Sequence, residues 1–198
     1  RMESSMKVVF CNMRYFISGG PERYLFSLKE RMEAEGHRII PFSVAYSRNR
    51  PSEHASYFVR PPGSPDAVYF KDLELSLREK ARFALNSFYS WEARSKLDRL
   101  LRDEKPDLVQ TFQINTYLSY SVIDACHRHR VPVISRMSTY QLMCPMELFF
   151  RDGAPCEACR DSLFSAVRYR CVQGSAAAST IRVASLILNR WNHTYDKI

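Results

Sequence analysis

Four short apolar runs, at 7–12, 39–44, 108–112 and 131–136, punctuate the chain, each bounded by polar or turn-forming residues. Such runs predict buried strands. Between them apolar positions recur at helical spacing. Tyr24, Leu25, Leu28 and Met32 form one stripe, ended by Glu35-Gly36. Leu73, Leu77, Ala81, Ala84, Leu85 and Phe88 form a second, and Leu97, Leu100 and Leu101 continue helically to Lys105-Pro106. Leu118, Val122, Ile123 and Cys126 mark a fourth. Strands alternating with helices predict an α/β fold, a doubly wound parallel sheet. A last helix is predicted over 180–191, with Val183, Ala184, Ile187, Leu188 and Trp191 on or near one face that packs on a core. The Pro-, Ser- and Arg-rich stretch 47–65 reads as a long exposed loop.

Gly19-Gly20 stands between the first strand and the first helix, with Pro21-Glu22-Arg23 following it. A strand, a glycine turn and a helix N-terminus form an anion site, because backbone N–H groups and the positive end of the helix dipole point outward. The same residues also suit a plain tight turn. Ligands of open α/β sheets bind at the carboxyl ends of the strands, which is where this turn falls.

Composition narrows the class. The chain has 198 residues, 45% of them hydrophobic, enough for a globular domain with a core. Its net charge is +8, and residues 128–198 carry ten Lys/Arg against five Asp/Glu. A basic surface suits an anionic partner such as phosphate, an acidic lipid surface or nucleic acid. No recognisable nucleic-acid motif is present, so no nucleic-acid partner is expected. No stretch reaches the roughly 20 apolar residues of a membrane span, and no signal peptide is seen, so a cytoplasmic protein is expected.

Three stretches, taken in order, carry a resemblance. The first runs from Met6-Lys7-Val8-Val9-Phe10 through Gly19-Gly20-Pro21-Glu22-Arg23 to Glu35-Gly36-His37. The second is Lys105-Pro106-Asp107-Leu108-Val109-Gln110, then Arg130-Val131-Pro132-Val133-Ile134. The third is Tyr140-Gln141-Leu142-Met143-Cys144-Pro145, Arg151-Asp152-Gly153, Cys156-Glu157-Ala158-Cys159 and Arg170-Cys171. In this order they resemble the N-terminal, acceptor-side domain of bacterial retaining GT-B glycosyltransferases of the glycosyltransferase family 4 type. The resemblance implies a Rossmann-like sheet, one half of a GT-B fold, over 1–198, with a Cys-rich loop insertion at 138–174. A C-terminal donor-binding domain, expected in the full-length protein, is absent from this chain.

The implied activity is hexosyl transfer from a sugar nucleotide to a glycan or lipid-linked acceptor in surface polysaccharide synthesis. The domain alone is expected to be inactive. Peripheral contact with the inner face of the cell membrane fits a lipid-linked acceptor. Gly19 and Gly20 are the donor diphosphate-binding candidates; Arg14, Gln113, Tyr140, Arg136 and Arg151 are the acceptor-binding candidates. The family's His-Asp-Tyr run matches Ser138-Thr139-Tyr140 here, and Gln110 replaces another frequent histidine. Ser138 is therefore the catalytic candidate, although serine cannot take a stable positive charge. Glu22 and Glu30 share the spacing of a glutamate pair in the family's second domain, and they read as solvated helix positions instead.

Cys144, Cys156, Cys159 and Cys171 form a C-x11-C-x2-C-x11-C pattern. An all-cysteine structural zinc site, unligated thiols and a disulfide all fit it. Cys11 and Cys126 lie in strand and helix patterns and read as core residues. His37, His127 and His129 lie at helix ends and are expected to be structural. The alternative to an enzyme is a non-enzymatic zinc-bearing module that binds an anionic polymer or lipid.

Overall fold

The computed structural model describes residues 5–61, 63–66, 76–115 and 117–198, without the side chains of Leu77, Lys80 and Ala81. The chain forms two compact units. One runs to Arg136 and takes in Lys197–Ile198; the other is Met137–Asp196.

The first unit is built on four parallel strands, β1 (Lys7–Cys11), β2 (Arg38–Phe42), β3 (Leu108–Thr111) and β4 (Val133–Ser135), in the order β2-β1-β3-β4. Val8 pairs with Ile39 on one side and Leu108 on the other, and Val109 pairs with Val133. Val8, Val9, Phe10 and Cys11 are all buried, as a central strand covered on both faces requires. Parallel neighbours need crossover connections. These are α1 (Gly20–Ala34), then α2 (Leu77–Phe88) with α3 (Trp91–Glu104), then α4 (Ser121–His129). This is a Rossmann-like arrangement. The chain leaves β1 toward β2 and returns to β3 on its other side, so the direction of winding switches between β1 and β3.

The helices end where the sequence indicates. Glu35 caps α1 before Gly36, whose φ of 90° suits glycine. Lys105, at φ 48°, ends α3 ahead of Pro106. Leu97, Leu100 and Leu101 bury α3, which packs on α4; Ser121 Oγ donates to Ser90 O at 2.8 Å between them. Each large apolar side chain so buried contributes about 1.5–3 kcal/mol. Phe10 and Phe112 meet edge to face with centroids 5.1 Å apart.

Three expectations need correction. Tyr24 is 43% exposed, and Phe26 takes the core position beside Leu25. In α2, Leu85 is 69% exposed, whereas Ala84 and Phe88 are half-buried. Leu73 and the side chains of Leu77 and Ala81 lie outside the described residues. The stretch 47–65 is more than a surface excursion: His54, Phe58 and Val59 are buried. Val59 bridges Val44, donating its N–H to Ser43 O at 2.9 Å and accepting from Ala45 N at 2.8 Å. His54 Nε2 lies 3.0 Å from Glu104 Oε1.

In the second unit a short hairpin, β5 (Phe150–Arg151) with β6 (Ala154–Pro155), precedes α5 (Ala158–Asp161), α6 (Ser165–Arg168) and α7 (Ala176–Trp191). The last helix starts earlier than 180 because Ser175 caps it, accepting from Ala178 N at 3.3 Å. Its buried positions are Ser179, Val183, Ser185, Leu186 and Asn189. Val183 and Leu186 join Leu163 and Ala166 in a small core. Ile187 and Trp191, expected on the core face, are exposed instead.

Candidate functional site

The carboxyl ends of β1 and β3 come together at the winding switch. Asn12, which follows β1, is 2% exposed. It receives Gln113 N–H at its Oδ1 at 3.0 Å and donates its own amide to Arg14 O at 2.7 Å. Met13 N donates to Gln113 O at 2.8 Å, so the two strand exits are locked to each other. Thr111 Oγ1 donates to Ser135 Oγ at 2.8 Å, and Arg136 N to Thr111 O at 2.8 Å, which ties in the end of β4. Gln113 and Arg136 therefore stand at this edge of the sheet. The Arg136 guanidinium lies over the Tyr24 ring, 4.0 Å from its centroid.

The glycine turn follows β1. Gly19 is the N-cap of α1 in extended conformation, and Gly20 opens the helix with Pro21 behind it. The first-turn N–H groups of Gly20 and Glu22 have no partner within the helix, while Pro21 has none to offer. A Cβ at Gly20 would meet no atom within 4 Å, so the approach to this helix end is open.

Glu22 is 1% exposed, which overturns its reading as a solvated position. It occupies the third helical position, where a carboxylate reaches back toward the N-cap; its Oε2 lies 3.7 Å from where a Gly19 Cβ would be. Arg14 Nη1 stands 3.7 Å from Glu22 Oε1 and donates to Ser18 Oγ at 3.5 Å. The turn thus carries an acidic group of its own, with Arg14 to offset it. Glu30 is exposed, as expected.

Arg14 also acts on two tyrosines. Burial pushes the Tyr46 hydroxyl above its usual pKa, and Tyr117 adds to this, while Arg14 pulls it down. Tyr117 is raised chiefly by burial, with Tyr46 and Arg14 opposing. The two rings are 6.5 Å apart, near perpendicular. Asn12, Glu22, Tyr24, Tyr46 and Tyr117 are site residues that sequence reasoning did not single out. Glu22 had a signal, since it stands three residues after the cap. Tyr24 beneath Arg136 had none, because the pair is 112 positions apart. A cavity of about 300 Å³ on this unit lies beneath 45–65, among Tyr46, Arg50, Pro51, Ala55 and Phe58. It takes in none of the predicted donor or acceptor residues.

Ser138, Tyr140 and Arg151 belong to the second unit. Tyr140 is exposed, packs against Phe149 with the rings tilted and their centroids 4.9 Å apart, and donates its N–H to Glu147 O at 2.9 Å. Glu147 is clamped by Thr139 Oγ1 at 3.0 Å and Arg182 Nη2 at 2.6 Å. Arg151 lies over the Tyr169 ring at 3.5 Å.

Cys144, Cys156, Cys159 and Cys171 line one small cavity in this unit, and all four are free thiols. Burial and then the neighbouring Cys144, Cys171 and Cys156 push the Cys159 thiol up to about 11, opposed by a hydrogen bond from Ala166 N–H. Burial raises Cys171, and Arg151 lowers it. Among the described residues, no three His, Cys, Asp or Glu side chains stand in metal-ligating geometry. Cys11 and Cys126 are buried in the first unit, as expected. His129 Nε2 pairs with Asp98 at 3.1 Å, and His37 Nδ1 accepts Met6 N–H at 3.2 Å, both structural contacts.

Compared with known families, residues 18–137 match the model of Glycosyltransferase Family 4. The chain belongs to glycosyltransferase family 4. The match covers more than half of the chain and ends at Met137, where the second unit begins. It includes Gly19, Gly20, Gln113 and Arg136 and leaves Arg14, Ser138, Tyr140, Arg151 and the four clustered cysteines outside. Comparison with curated proteins and with solved structures gave no significant match. Family membership indicates a glycosyltransferase-type function, and it does not favour a non-enzymatic binding module.

Proposed function

We propose that this chain is the acceptor-side half of a retaining GT-B glycosyltransferase that moves a hexosyl group from a sugar nucleotide to a glycan or lipid-linked acceptor. The observation that carries the reading is the match of a glycosyltransferase family to the unit whose winding switch bears the open Gly19-Gly20 helix end. Backbone N–H groups at that end, with Arg14 offsetting Glu22, would hold the donor diphosphate and stabilise charge as the nucleotide departs. Gln113 and Arg136 stand at the same edge and offer an amide and a guanidinium to acceptor hydroxyls or phosphate. Tyr140, Arg151 and Ser138 remain proposed for the acceptor and the chemistry on their match to the family pattern alone. A second α/β domain would supply the remaining nucleotide contacts, so this chain by itself turns over little.

No helix among the described residues is long and apolar enough to cross a membrane. Contact with anionic bilayers is proposed as peripheral and weak. Of the basic residues in 128–198, Arg128, Arg130, Arg136 and Lys197 fall in the first unit. The second keeps six arginines against five acids, net +1.

The test is release of nucleoside diphosphate from a panel of sugar nucleotides by the product of the natural gene, with polyprenyl-diphosphate sugars and soluble glycans as acceptors. Acceptor-dependent release with retained anomeric configuration supports the reading. No release from any donor under conditions where the protein is folded would defeat it.

A further inference from the structure

We propose that Cys144, Cys156, Cys159 and Cys171 form a structural zinc site that fastens the 144–171 segment of the second unit. The four thiols gather on a single cavity although the chain separates the outer two by 27 positions. No histidine or carboxylate lines that cavity; its other walls are Met146, Phe149, Phe150, Ala166 and Arg151. An all-sulfur donor set selects zinc, copper(I) or iron–sulfur clusters and disfavours magnesium and calcium. The space is about 10 Å³, roughly the volume of one water-sized sphere. Zinc is the ion whose structural sites are closed by four thiolates.

Charge and strain point the same way. Four thiolates around Zn²⁺ carry a net charge of −2, which the Arg151 guanidinium on the cavity wall partly offsets. Within the segment, Glu147, Phe149, Asp152 and Arg170 all hold left-handed backbone, which disfavours side chains other than glycine. Of its 28 residues only Cys144, Pro145, Leu163 and Ala166 are buried. A metal crosslink would add to this sparse apolar burial by turning binding free energy into folding free energy. The thiols line the cavity without standing in metal-ligating geometry. Binding would therefore require the cysteine side chains to turn toward one another, to Zn–S bonds of about 2.3 Å.

The experiment uses the whole chain, produced with zinc in the medium and purified under reductant without chelator or metal-affinity resin. Elemental analysis is expected to give about one zinc per chain, and cobalt(II) in its place the visible bands of a tetrahedral thiolate site. Cys156→Ser and Cys159→Ser are expected to lose the metal; Cys11→Ser and Cys126→Ser are expected to keep it. Should the first two variants fail to fold, the unaltered chain still decides. Chelation should expose four thiols to alkylation, counted by intact mass, and added zinc should protect them again. Metal-free protein with four readily alkylated thiols overturns the proposal. So does an intact mass showing a disulfide among these cysteines in protein kept reduced.

Discussion

Replacing Gly20 with valine separates the phosphate-facing role of the helix end from its role as a turn. The new Cβ meets nothing within 4 Å, and Gly20 has no positive φ that a side chain would strain. Folding is therefore nearly indifferent: valine is a better helix former than glycine by about 0.3 kcal/mol, which moves Tm by roughly 1 °C in a chain of this size. The isopropyl group instead fills the open approach above the first-turn N–H groups. Losing one charge-assisted hydrogen bond to the diphosphate there costs about 1.5–3 kcal/mol. Expressed as a rate, kcat/KM for the sugar nucleotide should fall roughly ten- to two-hundredfold.

Gly36→Ala is the opposite control. Its φ of 90° makes any side chain costly, by about 1–2 kcal/mol, while the site lies elsewhere. Tm should drop by roughly 2–8 °C with kcat/KM unchanged. The assay is diphosphate release by the product of the natural gene, paired with thermal unfolding of each variant. Gly20→Val with intact stability and kcat/KM within about twofold of the parent would refute the reasoning, since a real hydrogen bond is worth more than that. The buried carboxylate of Glu22 would then be the dominant charge that a ligand meets at this turn.

Stability should also fall at alkaline pH. Burial holds Cys11 well above its usual value and pushes Cys126 up to about 12, so both stay protonated in the fold. In the unfolded chain they ionise near pH 8.5, so their contribution is full below that pH and is lost as pH rises above it, at about 1.4 kcal/mol per pH unit for each thiol, the loss for Cys126 running up to about 12. Urea midpoints across pH 8–11 should decline, and Cys126→Ala should flatten the slope; a slope unchanged in that variant would contradict the assignment. Arg182→Ala removes the 2.6 Å contact to Glu147, in which both side chains are mostly covered. It should destabilise the second unit by about 1–3 kcal/mol, seen as faster proteolysis within 137–196 while the sheet stays protected. Equal protease resistance would show that the clamp is idle.

What the sequence determined by itself was the alternation. Strand β1, the stripe through Leu97, Leu100 and Leu101, and the stops at Gly36 and Pro106 follow from periodicity and local backbone preference, which act over a few residues. The placement of Gly19-Gly20 at a strand-to-helix exit was legible for the same reason, and the motif order carried the family. Tertiary structure alone decided which side of each helix is covered. Leu85, Ile187 and Trp191 are apolar at helical spacing yet exposed, because burial depends on what lies opposite and not on spacing. It also turned 47–65 from a loop into a partner of Val44, and it buried Glu22 beside Arg14. The juxtapositions of Asn12 with Gln113 and of Tyr24 with Arg136 span about a hundred residues, and no local pattern encodes such pairs. The four cysteines lie between these cases: their spacing was readable at once, but only folding brings all four thiols to one cavity beside Arg151.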